Sequence, residues 1–373
     1  MSRGRFERQR TLPRLSAGKL ILLLACVVQA VLSVGCFAAL GKLRTTLVTQ
    51  DAAEVWRGES EERFAQVSVF LPVDGKKTLD DIRAARAQLE NQFVQNSMSA
   101  PDGGSLYTDA FSGQTSLSVS GTSPGTLNVT AIGVGGDYFL FHPLRLLSGV
   151  YVTGEDYMAD RVVLDEQAAF QLFGSSDAAG MEVTISGRTY QVAGVVAGEQ
   201  DFATQAARQA AADNSGESGQ TSARALIYMS YDALNALTEL PIDCYEVVLP
   251  DPVSGFGKGL VAECFSQGSV VQNTGRLSFA RLMRVLGAFG SRVMTTNGVV
   301  YPYWENAARL VESYAALSLL LGVVFALMPG ICVVVVTVRF AVKQSRAAAY
   351  RAARAIDTRI EANKQKHYTR SGI

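Results

Sequence analysis

Residues 149–202 read GVYVTGEDYMADRVVLDEQAAFQLFGSSDAAGMEVTISGRTYQVAGVVAGEQDF. Val162, Val163 and Leu164 form a short β-branched run suited to a strand. EQAAFQLFG, from Glu166, follows as a short helix closed by Gly174, with Phe170, Leu172 and Phe173 as its sheet-facing residues. MEVTISG, from Met181, and TYQVAGVVA, from Thr189, supply two more strands, with Gly187 at the turn between them. Gly194 interrupts the last strand and marks a close approach of backbones. Strand, helix and hairpin in immediate succession define an α+β domain, a mixed sheet with helices packed on it.

The same grammar extends outward. TLNVTAIGV from Thr126, ALIYM from Ala225 and CYEVVL from Cys244 read as strands, and YDALNAL from Tyr231 as a helix. Val67, Val69 and Leu71 alternate with Ser68 and Phe70 in a strand ended by Pro72. Thr78 caps a helix over residues 79–95, with Asp80 and Asp81 in its first turn and Leu79, Ile82, Leu89 and Phe93 at helical spacing. Residues 42–64 have few breakers and predict a helical stalk. Residues 96–126 are rich in Ser, Gly and Thr, with weak strand signal at Leu117 and Val119. Residues 203–224 contain no large apolar side chain and predict a mobile insertion. SFARLMRVLGAF, from Ser278, places Phe279, Leu282, Met283, Leu286 and Phe289 on one helical face. Arg281 and Arg284 lie off it, as a solvated surface or beside lipid headgroups or a partner.

Two charge-free apolar stretches bracket this domain, residues 20–41 and 313–338. Each exceeds the roughly 18 uncharged residues that distinguish a membrane span from a buried core helix. The first is too long for a typical signal-peptide core, although a cleaved leader or a lipoprotein signal ending at Cys36 is the alternative. The formal net charge of zero conceals a partition: +5 over residues 1–19, −12 over 42–312 and +7 over 339–373. Basic residues flanking the outer ends of both spans predict cytoplasmic termini and an extracytoplasmic middle. The zero balance and the 48 % hydrophobic content exclude a globally basic nucleic-acid binder and a disordered chain.

Chemistry-bearing motifs are sparse. There is no P-loop, no GxSxG, no HExxH and no CxxC, and only two histidines, His142 and His367. The sequence therefore predicts no catalytic residue, no metal site and no cofactor of its own. Cys244 and Cys264 are the only cysteines outside the spans; they read either as one disulfide or as two free thiols. Pro329 and Gly330 fall within the second span, as a packing kink or as a hinge.

With these residues in view, the chain resembles the periplasmic core domain of MacB-type ABC transporter permeases of the FtsX/MacB superfamily. The resemblance is carried by Gly149, Asp156, Val162 to Leu164, Leu172 to Gly174, Gly180, Ile185, Gly187, Tyr190, Val192 and Gly194 to Val196. It implies a membrane subunit of the bacterial cell membrane whose outer domain moves in response to a separate cytoplasmic ABC ATPase. It also implies a partner permease or a second copy of the chain, because the usual third and fourth spans have no counterpart. In such permeases a basic helix after a span engages the ATPase. The corresponding candidates here are Arg346, Tyr350, Arg351 and Arg354, although a basic helix lying on anionic lipid fits the same composition. A membrane-anchored scaffold or sensor, and an envelope-remodelling regulator of the cell-division permease type, are the alternative functions.

Overall fold

A computed structural model describes residues 16–100, 104–122, 125–153, 159–214, 225–288, 295–296 and 299–371. The chain divides into two compact units, residues 41–316 and residues 1–40 together with 317–373.

The ten strands of the main sheet are β1 (Phe64–Phe70), β2 (Thr108–Ser120), β3 (Leu127–Gly136), β4 (Leu146–Gly149), β5 (Arg161–Asp165), β6 (Glu182–Ile185), β7 (Arg188–Val196), β8 (Leu226–Ser230), β9 (Cys244–Pro250) and β10 (Ser269–Gln272). The helices are α1 (Ala17–Leu43), α2 (Ala52–Arg57), α3 (Leu79–Gln95), α4 (Tyr138–Phe141), α5 (Glu166–Phe173), α6 (Phe202–Asn214), α7 (Tyr231–Thr238), α8 (Phe256–Cys264), α9 (Phe279–Gly287) and α10 (Tyr303–Ser371). The strand order is β10-β1-β9-β2-β3-β8-β5-β7-β4, with β6 pairing both β2 and β7. The sheet is mixed, as predicted: β3 runs parallel to β8 and β5 to β7, and the other pairings are antiparallel.

Both faces of the sheet are covered, so alternate residues of one strand enter different cores. On β1, Val67, Val69 and the following Leu71 join one core, and Phe70 joins the other. On β9, Tyr245, Val247 and Leu249 alternate with Cys244 and Val248 in the same way. The first core is closed by α3, α5, α7 and α8, through Ile82, Leu89, Phe93, Leu172, Leu234 and Val261. The second is closed by α2, α4, α6 and the first turns of α10, through Ala53, Phe141, Ala203, Trp304 and Val311. The α3 helix begins at Thr78 with a reciprocal capping box, in which the Thr78 backbone N–H donates to Asp81 Oδ2 at 3.0 Å. Arg86 then ties α3 to the sheet through a two-pronged pair with Asp109, at 2.6 and 2.8 Å. Gly194 is required by its neighbours: a Cβ there would lie 2.5 Å from the Val150 carbonyl oxygen.

Several expectations are corrected. The stalk over 42–64 is not one helix: α1 ends at Leu43, a 3₁₀ turn spans Val48–Gln50, and α2 ends at Gly58 in a positive-φ conformation. Residues 96–126 contain β2, a central strand. Its small side chains permit close approach, since a Cβ on Gly113 would sit 2.4 Å from the Pro241 carbonyl oxygen. The predicted mobile insertion begins with α6, which is ordered because Ala203 and Ala207 pack into the second core; residues 215–224 lie outside the described residues. Phe170 is exposed, and α5 buries Ala168, Ala169 and Leu172 instead. On α9 the buried residues are Leu282 and Val285, whereas Phe279 and Met283 are exposed; Phe289 lies outside the described residues.

In the other unit, α1 and the later part of α10 are long and apolar enough to cross a membrane. Their apolar side chains face outward, with Ile21, Val34 and Val336 among the most exposed. Such surfaces suit lipid rather than water. The two helices meet where side chains are small: Ser33 Oγ donates to the Gly322 carbonyl at 2.9 Å, and the Cys26 and Cys332 Sγ atoms lie 3.3 Å apart.

Candidate functional site

The four residues offered as ATPase contacts, Arg346, Tyr350, Arg351 and Arg354, are all exposed on α10. Arg346, Tyr350 and Arg354 are spaced four apart and share one helix face. The Arg354 guanidinium lies 5.0 Å from the Tyr350 ring centroid. Pro329 and Gly330 lie inside α10, which continues on both sides of them. Cys244 and Cys264 are free thiols, which corrects the disulfide expectation. The physical reason is the sheet itself: Cys244 belongs to the second core, and Cys264 packs against the first. Cys264 Sγ lies 3.3 Å from the Leu260 carbonyl.

A chain of buried polar groups, not foreseen from the sequence, runs along the second face to the start of α10. Glu246 on β9 receives the Ser68 hydroxyl at 2.8 Å and contacts His142 Nε2 at 2.5 Å. Asn273 Nδ2 donates to Ser68 at 2.8 Å, and Arg276 Nη1 donates to Asn273 Oδ1 at 3.1 Å. Arg276 then grips Glu305 with both terminal nitrogens, at 2.6 and 2.8 Å, and Glu312 through Nε at 2.8 Å. Burial alone would push the Arg276 guanidinium down. The Glu305 and Glu312 carboxylates outweigh that and hold it above its usual range. Arg281 Nε lies 3.1 Å from Glu312, so this arginine is an internal partner and not the solvated group its spacing suggests. Arg309 donates to Glu305 at 2.8 Å, and its guanidinium lies 3.5 Å from the Tyr301 ring centroid.

A second buried cluster adjoins the same turns of α10. Asp165 caps α5 by accepting the Ala168 N–H at 2.7 Å, and Arg208 of α6 lies 3.3 Å from its other oxygen. The Arg208 guanidinium lies 5.8 Å from the Tyr303 ring centroid. Burial raises the Asp165 carboxyl, against the lowering effect of its backbone donors and Arg208. Burial likewise raises Glu199, which accepts a hydrogen bond from Tyr303. Trp304 meets His142 edge to face, with centroids 4.8 Å apart.

Both clusters converge on Tyr303, Trp304, Glu305, Arg309 and Glu312. Chemically they form a clamp rather than a reaction centre. Paired ions in a low-dielectric interior resist separation, because releasing one partner strands the other. Among the described residues, no group of three or more His, Cys, Asp and Glu side chains is arranged to hold a metal ion. The sequence did carry one local signal, Glu305, Arg309 and Glu312 at helical spacing just before an apolar run. The partner shared by the two glutamates, Arg276, is distant in sequence and only the fold delivers it.

Known proteins resemble the chain in its outer domain. A family model described as the MacB-like periplasmic core domain matches residues 38–254. Among solved structures, the periplasmic region of MacB from Actinobacillus actinomycetemcomitans matches at 15 % identity and a TM-score of 0.39, over 61 % of this chain and 94 % of that one. The extracellular domain of the noncanonic ABC-type transporter YknZ from Gram-positive bacteria matches at 13 % identity and a TM-score of 0.35, over 56 % and 99 % respectively. No curated protein matches in sequence. The family match covers more than half of the chain and falls on the domain whose sheet and helices are described above: the chain belongs to the family of MacB-like periplasmic core domain proteins.

Proposed function

We propose that this chain is a membrane subunit of an ABC-type transport or efflux complex, whose MacB-like domain lies outside the cell membrane and moves in response to a separate cytoplasmic ATPase. The observation that carries this reading is the placement of a MacB-like domain between two apolar helices, followed by an exposed basic helix. Arg346, Tyr350, Arg351 and Arg354 are the proposed ATPase contacts, and Pro329 with Gly330 the proposed hinge. The domain boundaries proposed are residues 1–19 and 339–373 inside, 20–41 and 313–338 in the bilayer, and 42–312 outside. The charge partition supports cytoplasmic termini. A partner permease or a second copy of the chain is the proposed companion in the membrane.

Affinity purification from membranes in mild detergent tests the coupling. An ATP-binding cassette subunit is expected to copurify with the full chain and to be lost when residues 339–373 are deleted. Recovery of no ATPase by the full chain would replace this reading with a membrane-anchored scaffold or sensor. The topology is checked by Ile360→Cys, which is expected to react with a membrane-impermeant thiol reagent only after the membrane is opened.

A further inference from the structure

Helix α9 is fastened to the outer domain by one side only. Leu282 and Val285 are buried there, and Arg281 pairs with Glu312 at 3.1 Å and donates to the Gln272 carbonyl. The opposite side carries Phe279 and Met283, 64 % and 47 % exposed, and then the half-buried Leu286. Their spacing of four and three residues makes one continuous apolar strip along the helix. The place of α9 along α10 bears on what meets that strip. Glu312 is the last charged residue before the charge-free run 313–338. A helix rises about 1.5 Å per residue, so the anchor of α9 lies within the roughly 5–7 Å depth of a headgroup layer from the apolar run. A second contact marks the same level on a different side of α10. The Phe202 ring on α6 meets the Tyr314 ring edge to face, with centroids 5.8 Å apart, and both residues are exposed. Tyrosines collect at membrane–water interfaces.

Cations stand beside the strip. Arg284 and Lys258 of α8 are exposed, whereas the charge of Arg281 is answered by Glu312. Partial burial, and then the nearby Arg281 and Arg284 charges, hold the Lys258 ammonium below its usual range. An apolar strip rimmed by cations is the composition of a helix that lies in a bilayer interface. A two-fold contact between copies through this small face would set Arg284 and Lys258 against their own counterparts, whereas an anionic leaflet answers both. We propose that α9 is an interfacial anchor for the outer domain, with Phe279, Met283 and Leu286 among the headgroups and upper acyl chains and with Arg284 and Lys258 on the phosphates of anionic phospholipid. It gives the domain a point of attachment to the bilayer besides the two apolar helices. The inference rests on the membrane placement proposed above and is independent of any ATPase.

Photo-crosslinking to lipid tests it on the full chain. The protein is reconstituted in vesicles of phosphatidylcholine and phosphatidylglycerol, with a diazirine near the top of the acyl chain of each lipid in turn. After irradiation and digestion, mass spectrometry is expected to find lipid adducts on residues 279–287 as well as within residues 20–41 and 313–338. Phosphatidylglycerol is expected to exceed phosphatidylcholine at α9 about fivefold or more, and Lys258→Gln with Arg284→Gln to remove that excess. Phe279→Ser with Met283→Ser changes only exposed side chains, and is expected to lower the α9 yield relative to the spans about fivefold or more. Adducts on the spans with none on α9 mean that protein covers this face, and overturn the proposal. Equal yields from the two lipids, or an α9 yield that neither pair of substitutions changes, overturn it as well. Absence of adducts from the spans themselves would instead overturn the membrane placement, and this inference with it.

Discussion

Arg276 is 4 % exposed and satisfies two carboxylates at once, Glu305 and Glu312. Replacing it with Ala removes the bidentate pair to Glu305 and the bond to Glu312, leaving Glu305 to Arg309 and Glu312 to Arg281 in the second core. The expected loss is about 3–5 kcal/mol of domain stability, read by denaturant or thermal unfolding. A change below about 1 kcal/mol would mean the pair is solvated and the clamp is not internal. Asp243 makes a different statement. Burial pushes its carboxyl up to about 7, against the lowering effect of the Gln114 backbone N–H. Its Oδ1 has no partner. The folded state thus holds a proton that the unfolded chain releases near its ordinary pKa of 3.8. Stability from this group is greatest below pH 3.8, falls as the pH rises towards 7, and is lowest above it, a swing on the order of a few kcal/mol. Asp243→Asn is therefore expected to raise the melting temperature at pH 8 and to change it little at pH 4. Equal shifts at both pH values would place the residue in solvent.

At the scale of elements, the contact between α1 and α10 is the most directly testable. The Cys26 and Cys332 Sγ atoms are 3.3 Å apart, and both are free. Mild oxidation of the membrane-embedded chain is expected to join them within one chain, as seen by mass spectrometry of the digested protein. A product in which Cys26 pairs only between chains would reject this packing. Within the outer domain, Cys244 and Cys264 are expected to stay reduced under the same treatment, because the sheet lies between them. A reducing agent should leave the melting temperature of the domain unchanged. The elements legible in the sequence were those with strong local signals: α3 with its Thr78 cap, α5 with its terminal Gly174, and the β6–β7 hairpin turning at Gly187. The β2 strand was only faintly legible, through Leu117 and Val119, because its run of Ser, Gly and Thr answers to close neighbours such as Pro241 rather than to a β-branched pattern. The α6 helix was missed for a related reason: the side chains it buries, Ala203 and Ala207, are too small to give a strong apolar period.

At the scale of the whole molecule, the outer domain and the helical unit are separately compact. Deleting residues 339–373 is accordingly expected to leave the melting transition of the outer domain unchanged while abolishing ATPase recovery. A large loss of domain stability in that deletion would show that the tail serves the fold and not a partner. The sequence by itself determined the two apolar stretches, the partition of charge around them and the α+β character of the domain, because these depend on local composition, hydrophobic period and turn chemistry. Only the tertiary structure decided which face of the sheet each strand residue serves, that Cys244 and Cys264 stand apart, and that Arg276 closes on Glu305 and Glu312. It alone set α9 beside Glu312, at the entry to the second apolar stretch. Those outcomes depend on contacts between residues far apart in the chain, and no local pattern encodes the partner of a buried charge.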